Sequence, residues 1–162
     1  MISPDWCRMM AAYNSEMNRR LYGAADGLDA VVREADGGAF WGSIQGTLCH
    51  LLWGDTTWMS RFDGWKKPSV GMKQSPAMIQ DWAELKARRV AADQKIGSWA
   101  AGLTAENLAA PIAWHSAIIG RDVSMPLWIA AGHFFNHQTH HRGQAHALLT
   151  RAGAATGDTD LP

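Results

Sequence analysis

Apolar residues recur at helical spacing in four long stretches of the chain, separated by polar breaks. In the first, Ser3-Pro4-Asp5 reads as an N-cap, a first-turn proline and an acid matched to the helix dipole. The helix it opens is expected to reach about Tyr22, with a further short run through Leu28, Val31 and Val32. Gly37-Gly38 marks a loop, and Ser43 caps the second stretch, SIQGTLCHLLWGDTTWMSRF, which ends before DGWKKPSVG. Ser75-Pro76 repeats the serine–proline signal and predicts a third helix to about Ala101. Trp82, Leu85, Ile96 and Trp99 mark its apolar side, with lysine and arginine opposite.

From Leu103 the period changes. AAPIAWHSAIIGRDVSMP carries β-branched residues around Gly120-Arg121 and predicts an extended or hairpin-like crossover. Ser124, with Pro126 in the first turn, then predicts a fourth helix to about Arg151. The fold class that follows is all-α, a four-helix bundle with a long, partly extended crossover between helices 3 and 4. Residues 1–152 read as one domain and residues 153–162 as a flexible C-terminal tail.

Charge and composition narrow the function classes. Lysine plus arginine equals aspartate plus glutamate at 15 each, so a nucleic-acid partner is not expected. Cys7 and Cys49 form no cysteine framework and read as reduced thiols, which predicts a cytoplasmic protein. No membrane partner is expected either, because Gly132, His133 and Asn136 interrupt the longest apolar run. The nine tryptophans either fill space between helices or line a pocket.

The histidines change the picture most. Five of the seven lie in GHFFNHQTHHRGQAHALL, residues 132–149. His137 and His141 are spaced i, i+4 and share one face of the fourth helix. Ala130, His133, Gln144 and Leu148 extend that stripe, which places it toward the interior. A buried polar group without a partner costs about 1–3 kcal/mol, and a shared metal ion would supply partners to both rings. Another helix must then contribute, and only His50 and His115 remain. Gly46 and Gly54 bracket His50, although glycine in a helix costs about 1 kcal/mol relative to alanine. Bulk is therefore unwelcome there, whether a neighbouring helix or a ligand comes close. His115, in the crossover, reads as a structural or rim residue.

CHLLWGDTTWMSRF and FNHQTHHRGQAHALL together resemble the DinB/YfiT-like family of metal-dependent enzymes, the damage-inducible four-helix-bundle proteins. The resemblance runs over nearly the whole chain, and the final NH..HHRGQ is its specific part. That family binds a divalent metal through one histidine of the second helix and two of the last. Carried over, the ligands are His50, His137 and His141. Relatives include thiol-dependent transferases and a mycothiol-dependent isomerase, so the resemblance implies a low-molecular-weight thiol as well.

Three neutral imidazoles leave a divalent ion at least one open position, as catalytic sites do. Imidazole suits several ions; zinc is the first expectation and nickel the second. A di-iron site would need Glu-x-x-His pairs, yet none of Glu16, Glu34, Glu84 and Glu106 has a histidine three residues later. A zincin would need His-Glu-x-x-His, and residues 137–141 read His-Gln-Thr-His-His. The expected function is thiol-dependent group transfer to a small-molecule substrate; the alternative is a non-catalytic metal-binding or stress-related interaction protein. No catalytic residue is singled out.

Gln144, His133, Trp53, Thr57 and Arg61 are the expected neighbours of the metal or lining of the substrate pocket. Asp55 is expected in a cap or interhelical salt bridge, Arg142 in a salt bridge pointing away from the stripe, and Cys49 in the core. His140 and His146 lie off the stripe. Trp128 and Phe135, on the far side of the last helix, predict a homodimer. Because unperturbed histidine titrates near about 6.5, metal-dependent stabilisation is expected to fade between about pH 8 and pH 5.

Overall fold

The structure, a computed structural model, describes residues 1–117 and 119–160. The chain is mostly helical, with one small two-stranded sheet. Helix α1 (Pro4–Asp26) opens on Ser3, whose hydroxyl accepts from Trp6 N at 3.1 Å. After the short α2 (Ala30–Glu34), helix α3 (Ile44–Phe62) opens on Ser43, which accepts from Gly46 N at 2.9 Å. Both caps are where the sequence puts them.

The third long helix is not. Helix α4 (Trp82–Gly102) begins seven residues after Ser75 and is capped by Asp81, which accepts from Glu84 N at 2.6 Å. Ser75 and Pro76 instead lie in a 3-10 turn, Met72–Ala77. Ser75 is buried and its hydroxyl is already committed, donating to Met72 O at 2.6 Å and meeting His50 Nδ1 at 2.7 Å. A cap needs that oxygen free for a backbone N–H.

The short α5 (Ala105–Ala109) leads into strands β1 (Pro111–Ser116) and β2 (Arg121–Pro126), paired antiparallel from Pro111↔Pro126 to Ser116↔Arg121. Here the second start signal fails. Ser124 lies opposite Ala113 in the ladder, and helix α6 (Leu127–Arg151) starts after Pro126 without a side-chain cap. Its first amide, Leu127 N, donates to Ala110 O at 2.9 Å.

The four long helices touch in the order α1–α4–α3–α6 and back to α1. Their cores form two apolar clusters. One contains Leu21, Leu48, Leu52, Leu85 and Leu149; the other contains Met59, Ile96, Trp99, Phe134 and Phe135. Buried polar residues gather near the junction of the two, Asn14 and Asn18 on α1, Asp55 on α3, Arg89 on α4, Gln138 and Arg142 on α6, together with the partly buried Asp93.

Arg89 is the hub of this layer, 2.6 Å from Asp55 and 2.8 Å from Asp93. Burial disfavours its charge, but the carboxylates of Asp93 and Asp55 outweigh that and lift its pKa. The interhelical role expected of Asp55 is thus met. Arg142 departs from expectation: it is buried, donates to Asn14 Oδ1 and packs 5.0 Å from the Tyr13 ring, with no salt bridge among the described residues. Its helix face turns to α1 rather than to water.

Phe135 also departs. It is 1% exposed, with Trp6 edge-on at 5.3 Å, and Trp128 packs on the same cluster. Helix α1 covers the side of α6 that the sequence leaves open, so the homodimer argument loses its ring patch. Beyond α6, Tyr13 donates to Thr159 O at 2.5 Å and Arg20 to Asp158 O at 3.0 Å. Among the described residues, no helix is long and apolar enough to cross a membrane.

Candidate metal centre

His50 comes from the middle of α3, and His137 and His141 from successive turns of α6. One nitrogen from each lies within 4.8 Å of the others. The helices can approach this closely because Gly54 faces His137: a Cβ on Gly54 would stand 2.6 Å from His137 Cε1. Gly46 serves the other flank, where a Cβ would stand 2.7 Å from Trp41 O and 3.2 Å from Pro76 Cβ. The two glycines bracketing His50 therefore admit a ring on one side and the loop backbone on the other.

Hydrogen bonding sets which nitrogens are free. The Ser75 hydroxyl spends its proton on Met72 O, so toward His50 it can only accept, and His50 must carry its proton on Nδ1. Gln144 Oε1, 2.7 Å from His141 Nδ1, likewise only accepts, fixing the same tautomer in His141. Both rings thus present Nε2 lone pairs. His50 Nε2 faces His137 Nε2 at 3.4 Å, and His137 Nδ1 is buried without a protein partner.

Burial pushes His50 down to about 3, helped by His141 and His137. His137 is also pushed to about 3, by burial and then by His141, His133 and His140. His141 moves down too, because burial outweighs its bond to Gln144. All three are neutral donors at pH 7. Converging neutral nitrogens, with a buried ring nitrogen lacking a partner, are what a divalent ion of intermediate softness needs.

The cluster floors a pocket of about 400 Å³. Trp41 stacks on His50 at 3.7 Å between ring centroids, and Trp53 lies near-parallel to it at 5.5 Å while donating to Val70 O. Thr57, Trp58, Arg61 and His133 continue the wall; Phe40 and Met72, both exposed, stand at the rim. A groove of about 460 Å³ elsewhere, lined by Lys66, Lys67, Arg88 and Lys95, is larger but holds no convergent donors. Size does not select the site; the donor set does.

The DinB family model matches residues 4–162. The chain belongs to the DinB family. A crystal structure of a DinB-like protein from Bacillus cereus ATCC 10987 is similar, with a TM-score of 0.54 and 21% identity over 91% of each chain. At that identity the likeness speaks for the fold alone. No curated protein matches the chain.

In this DinB chain His50, His137 and His141 come together, and Trp53, Thr57, Arg61 and His133 line the same pocket. His133 stands apart from the cluster, 6.1 Å from His137 between ring centroids and 5.0 Å from Trp58. Cys49 faces the core, with its thiol near Ile79 N at 3.3 Å. His115 is exposed and bonds Asp122 at 2.9 Å; His146 meets Thr156 at 2.8 Å. His140, off the stripe and exposed, still reaches the pocket edge.

Sequence reasoning misses Ser75 and Trp41, which position and cover His50. Ser75 resembles a helix cap, and Trp41 stands in a loop without periodicity, so neither carries a local signal.

Proposed function

We propose that this DinB protein is a metal-dependent enzyme with a four-helix-bundle scaffold. His50, His137 and His141 hold one divalent ion, zinc or nickel, and the site activates a low-molecular-weight thiol for transfer to a small-molecule acceptor. The observation that supports this best is the convergence of three neutral imidazoles on the floor of a pocket with exposed rim residues. A site sealed by side chains would favour the alternative, a non-catalytic metal-binding protein.

Bound there, a divalent ion supplies a free coordination position and a Lewis acid that lowers the pKa of a thiol or water. The chain's own residues do the positioning. Ser75 and Gln144 hold protons on Nδ1 of His50 and His141, so Nε2 of each remains a lone-pair donor. Trp41 shields His50 from water. Among the described residues no carboxylate lines the pocket, so none of them competes with an incoming ligand for the open position.

Elemental analysis tests the reading. Purified protein is expected to carry about one divalent ion per chain. His137→Ala is expected to lose it and His146→Ala to retain it, since two imidazoles hold such an ion poorly. Full metal content in His137→Ala removes the assignment. A panel of low-molecular-weight thiols, titrated into the cobalt-substituted protein, tests the transfer chemistry: a thiolate-to-metal absorption band supports it, and its absence with every thiol favours the non-catalytic alternative.

A further inference from the structure

Among the described residues that line the metal pocket, Arg61 is the one permanently charged side chain; the others are aromatic, small or imidazole, with Met72 at the rim. It is half-buried, with its guanidinium 4.3 Å from the centre of the Trp58 ring and 4.9 Å from that of Trp114. Burial moves its pKa downward, and among the described residues no carboxylate opposes the shift. The buried Arg89 has two aspartates, and the buried Arg142 donates to the amide oxygen of Asn14. A guanidinium drawn partly out of water without an anion loses hydration and gains no ion pair in return. Two indoles fix its plane, and that pre-organisation suits a planar fork-to-fork partner.

We propose that Arg61 is the anion-recognising pole of this pocket, and that the ligand is a small molecule with a carboxylate at one end and a metal-coordinating group at the other. The inference rests on the three-histidine metal reading for the second pole only. The two poles have a fixed separation. Arg61 stands seven residues beyond Gly54, against which His137 packs, and this is about 10 Å along the helix at about 1.5 Å per residue. The side chain leans back toward the helix N-terminus and over Trp58, which shortens that span. Tryptophan and histidine walls between the poles suit an apolar or unsaturated middle. His133, beside Trp58, is held toward its neutral form by burial and then by Arg61, so it adds no competing charge.

The test uses metal-loaded full-length protein and ω-mercaptoalkanoates of increasing length, each paired with the ω-mercaptoalcohol of the same length. At the best length the carboxylate is expected to bind at least about tenfold tighter than the alcohol, the scale of a charge-assisted pair. The preference is expected to peak at one length, because the poles are fixed. In Arg61→Met it is expected to fall to about one, with alcohol affinity and metal content unchanged.

A preference that is absent, that stays constant or falls steadily with length, or that is retained in Arg61→Met overturns the proposal; attraction by the ion's charge alone would fall steadily with length and survive in Arg61→Met. Should Arg61→Met fold poorly, the length dependence in the wild-type protein decides. Metal content is measured separately. If the wild-type protein holds no ion, the metal reading fails by itself. Tryptophan fluorescence of the metal-free protein, titrated with alkanoates against alkanols, then decides Arg61 by the same expected tenfold ratio.

Discussion

A histidine that folds into a depressed pKa makes stability depend on acidity in a definite direction. His50 and His137 are held near 3 by burial, while unfolded histidine titrates near about 6.5. Between those values the unfolded chain binds more protons than the native one, so stability rises with pH there. Above about 6.5 the contribution is fully present; it is lost as pH falls toward about 3. The metal-free protein is therefore expected to lose thermal stability steadily on acidification from pH 7 to pH 4, and His50→Gln to flatten that slope.

The same burial bears on the expectation that metal-dependent stabilisation fades between about pH 8 and pH 5. In the folded protein His50 and His137, held near 3, are already deprotonated at pH 5, and burial moves His141 in the same direction. The difference in thermal midpoint between metal-loaded and metal-free protein is thus expected to persist to a pH well below 6.5. A difference that halves at 6.5 would show ordinary, hydrated imidazoles and count against the buried cluster.

At the scale of elements, the approach of α3 to α6 depends on one missing methyl group. Gly54→Ala places a carbon 2.6 Å from His137 Cε1, so the ring must move. Alanine also favours the helix by about 1 kcal/mol. The two effects separate by measurement: the variant is expected to lose metal affinity by about tenfold or more while its metal-free form is no less stable. Gly132→Ala, on α6 with nothing within 4 Å of the added carbon, is the control and keeps full affinity. Equal metal affinities in the two variants would mean that the helices can part without cost to the site.

Across the whole molecule, a charge-balanced layer divides the two apolar clusters and ties all four long helices. Arg89 pairs with Asp55 and Asp93, and Arg142 joins the layer through Asn14, with Asn18 and Gln138 beside them. Losing one partner of a buried pair costs about 3–5 kcal/mol, because the other charge stays buried. Asp55→Ala is expected to show that loss in urea unfolding. Lys86→Ala breaks the half-exposed Asp26–Lys86 pair and is expected to cost less than about 1 kcal/mol. Similar costs for both would mean that the layer is hydrated in solution.

Local repetition made much of this protein legible in its sequence. The four long helices, the Ser3 and Ser43 caps and the extended connection before the last helix follow from period and cap chemistry, which act within a few residues. The i, i+4 spacing of His137 and His141 belongs to the same class, since one helix alone superimposes them. Tertiary structure decided what depends on which surface meets which. Ser75 serves His50, twenty-five residues away, rather than a helix start; Phe135 and Arg142 are covered by α1; Arg89 reaches Asp55 from another helix. A helix apolar on more than one side does not say which side a neighbour will cover. A polar side chain gives no local sign of a partner that only packing brings within reach.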